Sequence, residues 1–463
     1  MNRRRDQGGA RRLYIDPKLP TPTIMACGIG SVNTSQYFID FCSEKVKLKN
    51  KPIYRVPSMA EIAVIPKNGY SVVSLFTGAG GSCLGFRMAG FKTLWASEFI
   101  SEARAVYEAN FSEVPVDGRD IRQVEPVEIL RAAGIGEGEL DVLEGSPPCA
   151  SFSTAGKRER HWGSIRKYSS TKQRTDDLFF EFTRILIGLM PKVFSAENVS
   201  GLAKGVAKGY FKEIFAALEK CGYTVKARLL DAQWLGVPQA RQRIFFVGVR
   251  QDLVKKYGIG PVFPEPLSYR YSVYEAIGVS KAVEDTGGDF SMGDITNRPS
   301  PTIRAGGVGH LYVEGGNGFD GHRYKSAERP MQTIQAGRPL NIIDQGERID
   351  LRGCLAREYD KTNPGENSDK YFSLARTSNL RPCPTVSAVG GIGGGGGTAA
   401  VVHPSERRKF TIAELKRVCA FPDDFKLIGS CAQQWERLGR AVPPLMAFRV
   451  AEAIRDGIFA KIK

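Results

Sequence analysis

No sustained hydrophobic period runs through residues 1–70. They mix basic clusters (Arg3, Arg4, Arg5, Arg11 and Arg12, then Lys45, Lys47, Lys49 and Lys51) with Pro17, Pro20 and Pro22, and read as an extension. Regular patterning begins at Tyr70–Phe76, a β-branched run that ends in glycines and predicts a strand. Leu84–Met88 reads as the opening of a helix. The pattern then alternates: a strand over Thr93–Ser97, a helix over Glu102–Asn110, a strand over Leu140–Leu143, and a helix over Leu178–Met190. A strand at Lys192–Ala196 and a helix at Tyr210–Lys220 follow. Strands at Tyr223–Leu229 and Arg243–Val249 come next with no helix between them, so that edge reads as an antiparallel hairpin. Alternation of this kind, with short buried strands, predicts a doubly wound α/β sheet.

Beyond residue 256 glycine and proline become dense and helical periodicity fades. One phrase recurs three times, as Arg298-Pro-Ser-Pro-Thr-Ile-Arg-Ala305, Arg329-Pro-Met-Gln-Thr-Ile-Gln-Ala336 and Arg381-Pro-Cys-Pro-Thr-Val-Ser-Ala388. Its spacing is unequal, which excludes a solenoid. Residues 390–397 hold seven glycines in eight and cannot form a stable helix or strand. Helical patterning returns at Thr411–Ala420, where Thr411 and Glu414 fit a capping box, and again at Pro444–Phe459.

Composition changes the picture in two ways. Lys and Arg total 65 against 49 Asp and Glu, a formal charge of +16 that suits a polyanion, with nucleic acid first. Nine cysteines with no C-x-x-C pair, and only four histidines, argue against a disulfide framework and against a zinc ribbon or other metal site. No stretch reaches the ~18 apolar residues of a membrane helix. The basic N-terminus lacks the apolar segment of a secretory signal, so a cytoplasmic protein with reduced thiols is expected.

Five short motifs carry the chemistry. Phe76-Thr-Gly-Ala-Gly-Gly81 lies between a strand and a helix, where glycine lets the backbone approach a cofactor. Glu98, at the end of the next strand, can accept both hydroxyls of a ribose. Asp120 and Ile121 can hold an adenine. Glu144-Gly-Ser-Pro-Pro-Cys149 presents a thiol after two rigid prolines at a strand end, a place for a nucleophile. Glu197, in Ala196-Glu-Asn-Val199, would face the same crevice as an acid or base. Gln239, Arg241 and Arg243 alternate onto one face of a strand, where a guanidinium suits a carbonyl oxygen or an anion. Gly439-Arg-Ala-Val-Pro-Pro444 opens the last helix.

Taken in order, these motifs resemble the DNA (cytosine-5)-methyltransferase family, across roughly residues 71–463. The resemblance implies a Rossmann-like S-adenosylmethionine-dependent methyltransferase fold with an inserted, irregular, mostly β target-recognition domain. It implies domains at 1–70 (extension), 71–256 (catalysis and cofactor), 257–403 (target recognition) and 404–463 (helices returning to the catalytic domain). It implies S-adenosylmethionine held by Phe76, Gly78, Gly80, Gly81, Glu98, Asp120, Ile121, Pro147 and Ala441. Catalysis would fall to Cys149, Glu197, Arg243 and Arg241, with Cys149 adding to C6 of a flipped-out cytosine. Double-stranded DNA would be met by a basic loop containing Ser151, Lys157 and Arg158, and by Arg298, Arg329 and Arg381. A monomer with a cognate restriction endonuclease acting on the same site is the expected setting. Two features differ from the family pattern: Arg440 stands where Asn is usual, and Arg174-Thr-Asp-Asp177 lacks the usual Arg-Gly. A tRNA cytosine-5 methyltransferase is the alternative in the same chemistry, and its shorter recognition region fits less well. An inactive DNA-binding relative is opposed by the intact Cys149, Glu197 and Arg243.

Overall fold

A computed structural model describes residues 51–148, 177–203, 208–278, 349–371, 374–388 and 401–462, with the backbone of strands at 37–39, 166–168, 171–173, 302–306 and 310–314. The chain divides into two compact units. One comprises Met1–Val279 with Asp344–Lys463, and the other is Ser280–Ile343. The smaller unit contains an antiparallel pair, Thr302–Gly306 with His310–Glu314, so the first copy of the repeated phrase enters a strand. This unit is narrower than the 257–403 expected for the insertion.

The larger unit is built on an eight-stranded sheet. Its strands are β1 (Tyr37–Ile39), β2 (Ser71–Leu75), β3 (Lys92–Ser97), β4 (Val116–Asp117), β5 (Val142–Gly145), β6 (Val193–Val199), β7 (Tyr223–Asp231) and β8 (Gln242–Arg250), in the order β1-β7-β8-β6-β5-β2-β3-β4. β6, β5, β2, β3 and β4 are parallel neighbours, and β1 runs parallel to β7. The expected hairpin of β7 and β8 is present, but β8 is not at the edge. It lies between β6 and β7 and runs antiparallel to both. A short 3-10 turn at Ala232–Leu235 and a two-residue strand at Gln239–Ala240 lead into it.

Both faces of the sheet are covered, which is why its strands read as near-continuous apolar runs. Period-2 alternation sends Val73, Leu143, Phe194 and Phe246 into one layer and Val72, Val142, Val193 and Phe245 into the other. The first layer is closed by α3 (Pro126–Ala133), α4 (Leu178–Leu189) and α5 (Lys208–Lys220), with Phe179, Phe182, Phe211 and Phe246 in mutual ring contact. The second is closed by α1 (Gly81–Met88) and α8 (Pro444–Gly457), which carries Met446, Ala447, Val450 and Ile454. The C-terminal helices therefore complete the first half of the chain. α6 (Ile412–Val418) begins with the Thr411–Glu414 capping box foreseen in the sequence. Residues 51–69, read from the sequence as part of an extension, bind this same unit: Tyr54 Oη donates to Arg417 O at 2.6 Å and Met59 N–H to Asp424.

The approach of α1 to α8 depends on glycine. A Cβ on Gly85 would lie 2.5 Å from Ala447 Cβ, 2.5 Å from Phe448 N and 2.6 Å from Pro444 O. Two of these atoms are backbone and cannot step aside. Gly85→Ala should therefore destabilise the protein by about 1–3 kcal/mol. Denaturant unfolding checks this, and an unchanged midpoint would mean that α8 shifts freely on α1.

Candidate active site

Strand β2 ends in a backbone that only a rigid surround would hold. Phe76 sits at φ 56° and Gly80, the residue capping α1, at φ 90°. The first is strained for a side chain with a Cβ; the second explains why glycine stands there. Glu98 follows β3 and is 8% exposed. One of its oxygens accepts the Gly78 N–H at 2.7 Å, the other the Ile100 N–H at 2.8 Å. Burial raises its carboxyl above the usual range, and these two N–H groups pull the other way. Each oxygen keeps acceptor capacity for a further donor.

These elements form one cleft. Phe76, Gly78, Gly81, Glu98, Ile121 and Ala441 line it, together with Ile100, Ala103, Arg119, Glu144, Ser146, Pro148, Arg437 and Arg440. Apolar side chains from Ile100, Ala103 and Ile121 beside a two-oxygen acceptor suit the flat base and the diol of an adenosine. Three expected cofactor residues stand behind the lining. Gly80 caps α1. Asp120 caps the turn Ile121–Gln123 and pairs with Arg122 at 2.9 Å. Pro147 turns its carbonyl toward Asn198, leaving Pro148 on the cleft.

Glu197 and Arg243 meet where β6 ends and β8 begins. In that register Arg243 pairs with Val199 and Phe245 with Glu197. Arg243 Nε lies 2.8 Å from Glu197 Oε1, and both side chains are largely buried. Burial lowers the Arg243 pKa, and Glu197 counteracts it. Asn198, the next residue, donates Nδ2 to Pro147 O at 3.1 Å. That bond ties the strand carrying Glu197 to the loop two residues before Cys149. Cys149 itself, with Ser151, Lys157 and Arg158, lies outside the described residues, as do Arg298 and Arg329.

Arg241 does not share a continuous strand with Arg243. The ladder breaks between Gln239–Ala240 and Gln242–Arg250, and Arg241 occupies the break. Its side chain is 1% exposed and donates to three backbone carbonyls: Gly439 at 2.9 Å, Val386 at 3.2 Å and Arg440 at 3.3 Å. Burial pulls its pKa down to about 9. Two of those carbonyls close α7 (Cys431–Arg440) just before Ala441 and Val442, which line the cleft. The third belongs to the third repeated phrase. That phrase is stitched along Gln239–Ala240: Cys383 N–H donates to Pro238 O at 3.0 Å and Thr385 Oγ1 to Ala240 O at 2.7 Å. Trp435 Nε1 donates to Ser387 O at 3.0 Å. Arg381, at the head of the phrase, is exposed.

Several residues in and beside the cleft were given no role by the motif reading, Arg440 having been noted only as a departure from the family pattern. Arg440 lines the cleft and pairs through Nε with Glu436 at 2.8 Å, while Arg437 pairs with the other oxygen of Glu436 at 3.0 Å. The i, i+4 spacing of Glu436 and Arg440 was the available signal. Asn198 sat inside a motif whose glutamate drew the attention. Glu144 opens the motif that ends in Cys149, Ser82 directly follows the glycine motif, and neither was given a role. Among the described residues no group of His, Cys, Asp and Glu could hold a metal, and no helix is long and apolar enough to cross a membrane.

Arg241 donates to three backbone carbonyls, two of them, Val386 and Gly439, through buried bonds. Arg241→Met should cost about 2–4 kcal/mol of stability, since buried acceptors are then left unpaired. Urea unfolding reads this directly, and a wild-type midpoint would show that the clamp carries no net energy.

The sequence profile described as C-5 cytosine-specific DNA methylase matches residues 70–456. The chain is 31% identical over 386 residues to the Type II methyltransferase M1.HphI of Haemophilus parahaemolyticus, covering 82% of this chain and 86% of that one. It is 29% identical over 391 residues to the Type II methyltransferase M.NgoFVII of Neisseria gonorrhoeae, covering 84% and 87%. Among solved structures, its fold is shared by a prophage-encoded E. coli chain described as a DNA modification methyltransferase, with a TM-score of 0.55, 20% identity, and coverage of 84% and 100%. The glycine loop with its acidic partner, the Glu197–Arg243 pair and a match spanning most of the sequence lead to one conclusion: the chain belongs to the C-5 cytosine-specific DNA methylase family.

Proposed function

We propose that the chain methylates C5 of a cytosine flipped out of a specific duplex DNA sequence, with S-adenosylmethionine as donor, as the modification half of a restriction–modification pair. The observation that carries this reading is the buried Glu197–Arg243 pair, tethered through Asn198 to the Pro-Pro-Cys149 loop. The relatives named as Type II methyltransferases support the restriction–modification setting. In this reading the enzyme works as a monomer in the cytoplasm. Residues 257–403 supply target recognition, and Ser151, Lys157, Arg158, Arg298, Arg329 and Arg381 meet DNA.

Cytosine C5 is a poor nucleophile. The Cys149 thiolate adds to C6, forming a C–S bond and pushing the ring electrons toward C5 and N3. Glu197 acts at N3, by protonation or a hydrogen bond, and accepts from the exocyclic amine, while Arg243 donates to O2, so charge that develops on the ring meets fixed groups. The contact between Glu197 and Arg243 sets the spacing of the two side chains before the base arrives. Bound S-adenosylmethionine supplies an electrophilic methyl group. Loss of the C5 proton then restores the C5–C6 double bond and expels Cys149. Glu98 and the Gly78 backbone orient the donor. Arg241 acts one step removed, by fixing the backbone of Gly439 and Arg440 beside Ala441.

Cys149→Ser should abolish methylation and keep cofactor binding within about twofold, because this reading assigns cofactor binding to the glycine loop and Glu98 and the nucleophile to Cys149. Wild-type protein should form a denaturation-resistant adduct with DNA carrying 5-fluorocytosine at the target, where no proton can leave C5. Methylation without that adduct would refute Cys149 as nucleophile.

Glu197→Gln keeps a hydrogen bond but has no proton to give N3. A single-turnover loss of roughly 10²–10⁴-fold with near-normal DNA affinity is expected. An unchanged rate would make Glu197 a structural partner of Arg243 alone.

A further inference from the structure

Glu144 is a buried acid that the mechanism above does not use. It sits near the end of β5, in register with Ser74 on β2, and is 3% exposed. Ser74 Oγ donates to its Oε1, as does the Cys83 thiol at 3.3 Å, and Ser82 Oγ donates to its Oε2 at 2.7 Å. Ser74 and Cys83 are deep in the fold, whereas Ser82 is half-buried at the start of α1 and shares the cleft wall with Glu144.

This surround is unusual for a carboxylate. Its partners are two hydroxyls and a thiol, all neutral, and among the described residues no Lys or Arg forms an ion pair with it. Burial raises the Glu144 pKa, and Glu197, another acid, pushes it the same way. A buried negative charge without a cation is costly, and the usual escape is protonation or a paired cation. The cleft that Glu144 lines is the one whose glycine loop and Glu98 suit an adenosine. S-adenosylmethionine extends that adenosine with two positive centres, a sulfonium and an ammonium.

Building on the assignment of S-adenosylmethionine to this cleft, we propose that Glu144 is the counter-charge for the cationic half of the cofactor, with Ser82 holding the cleft-side oxygen. The positive charge that the fold omits then arrives with the ligand. Ser74 and Cys83 fix the inner oxygen, so the carboxylate cannot turn away when the cleft fills. The site thereby prefers a cationic adenosine over a neutral one of the same shape.

The test is equilibrium binding to the full-length protein, without DNA, of three probes: S-adenosylmethionine, S-adenosylhomocysteine and 5′-methylthioadenosine. The last keeps the adenosine and sulfur but has neither positive centre. Glu144→Gln should weaken S-adenosylmethionine by about 10- to 100-fold and leave 5′-methylthioadenosine within about twofold. S-adenosylhomocysteine separates the two sources of charge: a matching loss assigns the ammonium, and no loss assigns the sulfonium. Equal weakening of all three probes would overturn the proposal, since Glu144 would then merely support the cleft wall. An unchanged affinity for S-adenosylmethionine would overturn it as well. If wild-type protein binds none of the probes, the cofactor assignment fails instead.

Should Glu144→Gln not fold, the wild-type preference for S-adenosylmethionine over 5′-methylthioadenosine is followed from pH 8 downward. The groups around Glu144 are Ser74 on β2, Ser82 and Cys83 on α1, Tyr107 on α2 (Ser101–Asn110) and Glu197 on β6. Glu197→Gln protein serves as the background in which Glu144 is the remaining carboxyl of that set. The preference should fall on acidification, as Glu144 takes up a proton and loses its charge. A flat profile would overturn the proposal.

Discussion

The arrangement of the active site depends on one buried guanidinium. Arg241 stands in a break between two strands and reaches three carbonyls from two distant parts of the chain. Burying an arginine is costly unless hydrogen bonds offset the cost, and here the two terminal nitrogens reach backbone oxygens at the end of α7 and on the edge segment. The arginine therefore satisfies the end of a helix and anchors it with the same bonds. Because Arg243 follows two residues later, its pair with Glu197 and the cleft wall at Ala441 and Val442 hang from one short stretch of backbone. A displacement at either is felt at the other through Gln242, with no need for a mobile element between them.

The same economy governs the tethering of Pro147 to β6. Asn198 lies between Glu197 and Val199 at the end of β6, so its amide points away from the Glu197 carboxylate. It binds Pro147 O, and also accepts the Val199 N–H at 2.9 Å. Two prolines then limit how the chain can travel from that anchor to Cys149. Glu-Asn-Val and Pro-Pro-Cys are thus two halves of one device. The carboxylate is aimed by Arg243 and the thiol's loop by Asn198, and both are fixed to β6.

Much of this was legible in the sequence. The parallel strands β2, β3, β5 and β6 are short apolar runs, so their positions hold to within two or three residues. The capping box at Thr411 and Glu414 is a local signal and forms as written. Other features depended on contacts far apart in the chain. Two-residue β4 carries too few side chains for a period. α7 is strongly polar outside its buried Trp435 and Leu438, and without a predicted partner it did not stand out. The placement of β8 inside the sheet is a question of pairing, which hydrophobic runs do not encode. Arg241 and Arg243 looked equivalent because alternation was assumed to run unbroken. A break of one residue gives them separate tasks. Glu144 was passed over because a buried acid among hydroxyls has no sequence signature.

The repeated Arg-Pro-x-x-Thr phrase shows how far likeness of sequence can be trusted inside one chain. Its third copy forms an edge segment: Cys383 and Pro384 run beside Gln239 and Ala240, Thr385 closes on Ala240 O, and Val386 and Ser387 offer carbonyls to Arg241 and Trp435. Each of these positions is used through its backbone or a short hydroxyl. The two prolines suit an edge that has no inward N–H to donate there. The conserved part of the phrase within this chain, Pro-x-x-Thr followed by Ile or Val, is therefore the part that makes an edge strand. Its arginine stays exposed at Arg381, with its carbonyl taken by Val273 N–H at 3.0 Å. The first copy enters a strand as well, at Thr302–Gly306. Where the phrase can be followed, its Pro-x-x-Thr part ends a loop and starts a strand or edge segment, and the arginine of the third copy is left exposed. Residues 344–388 share the glycine- and proline-rich texture and belong to the larger unit, where Cys383–Pro384 pairs with Gln239–Ala240 and Ala375–Arg376 with Val401–Val402.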